Sequence, residues 1–252
     1  MSSDLFSVRD RVVIVTGASS GLGEHFGRKL AEAGAKVVLA ARRTEKLERI
    51  AAEIGDALVV PCDVTVDDDC RALVERTVER FGRVDVLVNN AGISKPNRVD
   101  DETADDFRQV VEVNLLGAYS MCRYAGLQMV AQGSGSIINV ASIVGLVGLG
   151  RMPQASYAAS KAGVVNLTRE LAAQWARRGV RVNSIAPGFF PTEMTEGLFS
   201  SEQGEAWVAK LTPMGRSGRE GELLGALLYL ASDASSYVTG SVLPVDGGWT
   251  AV

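Results

Sequence analysis

Short apolar runs alternate with amphipathic stretches along nearly the whole chain. Val12–Val15 is a β-branched run that ends in a glycine-rich turn. A helical pattern follows over about Leu22–Ala33, Gly34 stops it, and Lys36–Ala41 reads as a second strand. The alternation then repeats. Thr44 is the expected N-cap of a helix over Glu45–Ile54, followed by a strand at Ala57–Pro61, a helix at Asp67–Phe81 and a strand at Val84–Val88. Further helical patterns cover about Asp105–Ala131 and Ala155–Arg178, with strands at Ser136–Val140, Val180–Ile185 and Val242–Val245. These strands are continuous apolar runs, the pattern of a parallel sheet covered on both faces. Strands and helices in alternation predict an α/β fold, a doubly wound parallel sheet in three α/β/α layers. No proline-rich or low-complexity linker divides it, so one domain over residues 1–252 is expected. The irregular part is Pro187–Gly218, where Phe189, Phe190, Met194, Leu198 and Phe199 stand among charges. Long excursions of this kind are often lids or binding loops, and residues 188–218 are read as a substrate-binding loop.

Composition narrows the function classes. With 26 Lys and Arg against 30 Asp and Glu, the net charge of −4 argues against a nucleic-acid partner, which calls for a basic face. The stretch Met1–Arg11 is polar and unlike a signal peptide. The longest apolar window, Ile137–Gly150, is broken by Asn139, Ser142 and glycines, so no membrane span is expected. Cys62, Cys70 and Cys122 are odd in number and scattered, which suits reduced thiols in a cytoplasmic protein better than disulfides or a zinc site. No His, Cys, Asp and Glu cluster has metal-ligand spacing, so no metal is expected.

The 27 glycines are more than average, so their placement calls for an explanation. Thr16-Gly17-Ala18-Ser19-Ser20-Gly21-Leu22-Gly23 lies directly between the first strand and the first helix. Gly17 suits a tight turn, Gly21 lets backbone approach a diphosphate, and Gly23 allows close helix–sheet packing. N–H groups and the helix dipole favour an anion there. A plain βα turn would use glycine equally well. Tyr157 and Lys161 are four residues apart on a helical pattern and so share a face. An ammonium beside a phenol favours the phenolate, so Lys161 is expected to lower the Tyr157 pKa. Ser142 follows a strand end, where ligands of parallel sheets bind. A lone Tyr-x-x-x-Lys also fits an ordinary helix surface. Its combination with the glycine turn and Ser142 points to an active site.

Together with Asp63-Val64, Asn89-Asn90-Ala91-Gly92, Asn114 and Pro187-Gly188, these motifs resemble the short-chain dehydrogenase/reductase family over essentially the whole chain. The resemblance implies a Rossmann fold and a nicotinamide-dependent oxidoreductase that interconverts an alcohol and a ketone. It implies that Tyr157 is the general acid and base, that Lys161 tunes it and binds the nicotinamide ribose, and that Ser142 orients the substrate carbonyl. Asn114 would hold a water in a proton relay through Lys161. Gly17, Ser19, Ser20, Gly21, Leu22 and Gly23 would cradle the diphosphate, while Asp63 and Val64 meet the adenine. Asn90, Ala91 and Gly92 would flank the cofactor, and Pro187, Gly188, Phe190 and Thr192 would face its nicotinamide end. Asn89 and Asn114 are equally suited to bracing strand and helix. The loop between Ser142 and Tyr157 is a couple of residues longer than the family usually shows, which brings Arg151 or Met152 within reach of substrate.

NAD-selecting enzymes place a carboxylate at the end of the second strand. Here Ala41 stands there, followed by Arg42 and Arg43, and guanidinium welcomes a 2′-phosphate. NADP(H) is therefore expected, with NAD(H) as the runner-up if both arginines are merely solvated. Ser20 occupies a place where NADP-preferring relatives often carry a basic residue. Competing functions are an NAD(H)-preferring sugar or polyol dehydrogenase, a non-catalytic nucleotide sensor and a methyltransferase. A small-molecule carbonyl or alcohol is the expected substrate, drawn from 3-oxoacyl thioesters, sugar acids or polyols, and steroid-like or xenobiotic ketones. Apolar helix faces at Val113–Val130 and Val164–Trp175, with the family resemblance, imply a homotetramer.

Overall fold

The structure, a computed structural model, describes residues 5–252, so Met1–Asp4 of the polar N-terminal stretch lie outside the described residues. Among the described residues seven strands form one parallel sheet: β1 (Val12–Thr16), β2 (Lys36–Ala41), β3 (Leu58–Pro61), β4 (Val86–Asn89), β5 (Gly135–Val140), β6 (Val180–Pro187) and β7 (Val242–Val245). Their order is β3-β2-β1-β4-β5-β6-β7, and every pairing is parallel. The helices are α1 (Gly21–Glu32), α2 (Thr44–Ile54), α3 (Asp67–Phe81), α4 (Ala104–Val111), α5 (Gly117–Gln132), α6 (Ala155–Trp175), α7 (Glu196–Phe199), α8 (Glu202–Leu211) and α9 (Leu224–Ala231).

Side-chain alternation along the strands divides the core into two layers. Val12 and Ile14 face α3, α5 and α6, packing in one cluster with Leu73, Met121, Ala125 and Trp175. Val13 and Val15 face α1, α2 and α9, packing with Phe26, Leu47 and Leu227. Both faces are thus covered, which is why the strands read as unbroken apolar runs. The doubly wound α/β arrangement follows the expectation from the sequence.

Several boundaries differ from that expectation for identifiable reasons. Thr44 is the first helical residue of α2, and Arg43 holds the capping position, its side chain drawn elsewhere. The helix expected over Asp105–Ala131 is interrupted by a wide π turn at Glu112–Leu116, which carries the buried Asn114 inward. α6 tightens into a 3₁₀ turn at Ala176–Arg178 before Gly179. α9 had no helical signature because Leu224–Ala231 is apolar nearly all round; it buries Leu227, Leu230 and Ala231. The excursion after β6 folds into α7 and α8.

A buried polar chain braces the centre. Asn89 Nδ2 donates to Ala118 O at 2.8 Å and to Asn139 Oδ1 at 3.2 Å, and Asn139 Nδ2 donates to Thr168 Oγ1 at 2.9 Å. β4, β5, α5 and α6 are linked through these amides. All three cysteines are buried and free. Among the described residues no helix is long and apolar enough to cross a membrane. Removing Asn139 would take one acceptor from the Asn89 amide, which keeps Ala118 O, and the donor to the Thr168 hydroxyl, which keeps Val164 O. Each buried polar site left unsatisfied costs about 1–3 kcal/mol. Asn139→Ala is therefore expected to lower the urea midpoint at unchanged slope, by roughly 2 kcal/mol or more in unfolding free energy.

Candidate active site

The strand order reverses between β1 and β4: the chain proceeds toward β3 on one side and toward β7 on the other. Ligands of doubly wound sheets bind in the crevice beyond such a point. Here it is closed by one hydroxyl. Thr16 Oγ1, at the end of β1, accepts from Asn90 N at 3.0 Å and from Ala91 N at 3.1 Å, while Asn90 Nδ2 donates to Thr16 O at 3.0 Å. The glycine turn leaves from this joint. Gly17 takes φ of +65°, and a Cβ on Gly23 would stand 2.3 Å from Gly17 O, so only glycine lets α1 start so close to the turn. Ser20 precedes α1 without capping it through its side chain. The opening N–H groups of α1 are left for another acceptor, which fits a diphosphate at this bend.

The second half of the site lies at the carboxyl end of β5. Lys161 is buried on α6, and its Nζ donates to Val140 O at 2.8 Å. The same ammonium stands 5.6 Å from the centre of the Tyr157 ring. Ser142 begins the turn after β5, where its hydroxyl is close enough to the Tyr157 phenol to act on its pKa. Burial pushes the Tyr157 phenol up to about 12, against a downward pull from the Ser142 hydroxyl. Burial also pushes Lys161 down to about 8. This corrects the expectation that the lysine lowers the tyrosine pKa: in the protein alone the phenol is raised, and the ammonium, directed to the Val140 carbonyl, is not among the groups that pull it down. Tyr157 therefore holds its proton at neutral pH.

Asn114 reaches this pair from the π turn. Its Oδ1 accepts from Ile93 N at 2.8 Å, and its Nδ2 donates to Ile93 O at 2.9 Å and Ser160 Oγ at 3.1 Å. Ser160 Oγ in turn donates to Tyr157 O at 2.7 Å. Gly92 marks the gap between them: a Cβ there would lie 3.2 Å from Asn114 Oδ1 and 3.5 Å from Lys161 Nζ.

The other sequence-derived residues fall around the same crevice, with differing freedom to act. Asp63 accepts from Thr65 N and Oγ1 at 3.0 and 2.8 Å, and Val64 packs on Gly117. Gly188 packs against Asp246 and donates to Val245 O at 3.0 Å, fixing the exit of β6. Phe190 is buried in the core cluster below α9, with Gly218 against its ring. Thr192 stands over Gly21, 3.6 Å from where a Cβ would be. Arg151 is exposed and Met152 half-buried in the long turn before α6.

The two arginines after β2 differ sharply. Arg42 is largely exposed and lies 3.7 Å from Asp63. Arg43 crosses the glycine turn instead: its Nε donates to Ser19 Oγ at 3.0 Å and its Nη2 donates to Ser20 Oγ. A guanidinium thus stands beside position 20, brought there by Arg43. Its fork also grips Glu193 Oε1 and Oε2, each at 3.1 Å. Ser160, Asn139 and Glu193 were not singled out as functional residues from the sequence, nor was the Thr16 side chain, because each acts through a partner far along the chain.

A family model described as enoyl-(acyl carrier protein) reductase matches residues 17–250. A cis-4-hydroxycyclohexanecarboxylate dehydrogenase from Sinomonas cyclohexanicum is 43% identical over 247 residues, covering 96% of this chain and 98% of its own length. The crystal structure of a short-chain type dehydrogenase/reductase from Mycobacterium marinum superposes with a TM-score of 0.94 at 38% identity, covering 99% of each chain. That of a gluconate 5-dehydrogenase from Burkholderia cenocepacia J2315, in complex with NADP and tartrate, gives a TM-score of 0.94 at 38% identity over 100% of each chain. The reversal in strand order, the glycine turn and the Ser142–Tyr157–Lys161 group thus sit in a chain whose relatives are dehydrogenases along their whole length, and this protein belongs to the short-chain dehydrogenase/reductase family.

Proposed function

We propose that this protein is an NADP(H)-dependent oxidoreductase that interconverts a secondary alcohol and a ketone, with Tyr157 as the proton-transferring group. The observation that carries this reading is the convergence of Ser142, Tyr157 and Lys161 at the carboxyl end of β5, beside a glycine turn crossed by Arg43. The whole chain acts as one catalytic domain, with residues 188–218 forming the substrate-side loop. The bound dinucleotide supplies hydride transfer to and from the carbon. Every other step belongs to side chains of this chain.

In ketone reduction, Tyr157 carries a proton held firmly by burial and delivers it to the carbonyl oxygen. Ser142 holds that oxygen against the phenol. Lys161 keeps a positive charge beside the phenolate that forms, and its free N–H groups suit ribose hydroxyls. Asn114 is assigned the far end of a water-borne proton relay from Lys161, supported by their approach across Gly92. Gly17, Ser19, Ser20, Gly21, Leu22 and Gly23 cradle the diphosphate; Asp63, Val64, Asn90, Ala91 and Gly92 line the adenosine and central parts; Pro187, Gly188, Phe190 and Thr192 shape the far end. Arg43, with Arg42 at the rim, meets the 2′-phosphate, in line with the NADP bound in the Burkholderia relative. That relative and the Sinomonas enzyme are named for hydroxylated carboxylic acids, which makes hydroxy acids the first substrates to screen here.

The exposed Leu116, Tyr119 and Leu127 on the π turn and α5 support pairing of this face in a homotetramer. The three buried free thiols suit a cytoplasmic setting. Light scattering coupled to size exclusion checks the assembly: four copies per particle are expected, and a stable monomer refutes it.

Three further outcomes follow from the site. Tyr157→Phe should reduce kcat by about 10²–10⁴-fold, the usual share of a positioned acid, while the Kd for NADPH stays close to wild type. Near-normal turnover removes tyrosine from the mechanism. Because Lys161 is charged only below about 8, kcat/KM for ketone reduction should be level at lower pH and fall as pH rises through about 8; a rise through that range contradicts the role of Lys161. Arg43→Ala should raise the Kd for NADPH by roughly tenfold or more and spare NADH, since a charged hydrogen bond to phosphate contributes about 1.5–3 kcal/mol. Equal effects on both cofactors contradict the 2′-phosphate assignment.

A further inference from the structure

The first turn of the substrate-side segment is fastened to the phosphate end of the crevice. Thr192 lies on Gly21, and the next residue, Glu193, clasps Arg43 with both carboxylate oxygens at 3.1 Å. Lys46 stands 3.7 Å from the same carboxylate. The turn that presents Glu193 is itself fixed, because Thr195 Oγ1 accepts from Thr192 N at 2.9 Å and donates to Phe190 O at 2.6 Å. Arg43 holds Ser19 and Ser20 with Nε and Nη2, and its Nη1 and Nη2 meet the carboxylate. The guanidinium has one planar fork, and a bidentate carboxylate occupies the geometry that a bidentate phosphate needs.

We infer that Glu193 is a specificity-determining residue for the cofactor: its carboxylate competes with the 2′-phosphate of NADP(H) for the Arg43 fork. The inference rests on the reading of Arg43 as the phosphate partner. An incoming 2′-phosphate brings about two negative charges to a guanidinium already matched by one carboxylate. Either the phosphate displaces Glu193 or the two anions share one cation, and both lower the affinity for NADP(H). NAD(H), which carries hydroxyls at this position, leaves the clasp intact. Glu193 therefore narrows the preference for NADP(H) that Arg43 creates. Arg43, foremost, holds the Glu193 carboxyl down to about 2, so the competing charge persists at all working pH values.

The test is calorimetric titration of the intact protein and its Glu193→Gln variant with NADPH, NADH, 2′,5′-ADP and 5′-AMP. The last two report on the adenosine end without the nicotinamide. Both partners are about half exposed, so the expected gain is moderate: Glu193→Gln tightens NADPH and 2′,5′-ADP by about three- to tenfold, with NADH and 5′-AMP within about twofold of wild type. Glu193→Ala, which also removes the amide, should give the same ratio. An unchanged NADPH to NADH ratio in both variants, or equal tightening of all ligands, overturns the inference. Arg43→Ala separates the two readings. If it weakens NADPH selectively while neither Glu193 variant changes the ratio, only the competition is refuted. If wild type prefers NADH and Glu193→Gln moves the ratio toward NADPH, the competition stands and the NADP(H) preference proposed above is refuted.

Discussion

The hydrogen bond from the Lys161 ammonium to the Val140 carbonyl ties the reactive end of α6 to the carboxyl end of β5. A buried ammonium is costly, and burial accordingly pushes its pKa down to about 8. The arrangement is therefore poorly explained by stability. It fixes a cation beside a phenol at the mouth of the sheet, and the turn carrying Ser142 is packed against the same stretch of helix, where Gly145 meets the Lys161 backbone. The helix, the strand end and the turn are thus held at one point, and Ser142, Tyr157 and Lys161 inherit their geometry from it.

The protonation states follow from the same burial. A phenol pushed to about 12 and an amine pulled to about 8 are moved in opposite directions, each toward its neutral form. The protein alone thus stores a proton on Tyr157 and keeps the lysine near its titration range. Asn114 and Ser160 extend the set through the π turn, a local widening of the helix that brings a buried amide to the site at the cost of a regular helical ladder.

At the opposite end of the crevice, electrostatics takes over from burial. Arg43 is the hub, holding two serines of the glycine turn and one carboxylate of the segment after β6. Through this hub, the glycine turn and the segment after β6 are mechanically connected. Thr16 performs the corresponding role in the backbone, joining the ends of β1 and β4 where the sheet reverses direction.

The sequence by itself determined the α/β alternation, because continuous apolar runs and 3.6-residue periodicity are local signals. It also determined the glycine turn and the Tyr157–Lys161 pair, since spacing of four on a helix places both side chains on one face. Ser142 was legible from its place after a strand. Only the tertiary structure decided the rest. Which arginine folds back over Ser19 and Ser20 was decided there, and Glu193 approaches it from 150 residues away. The inward rotation of Asn114 required a π turn that no residue pattern announces. The pKa order of Tyr157 and Lys161 was set by burial, a property of the assembled layers, and the pairwise effect that helical spacing suggests does not shift the phenol.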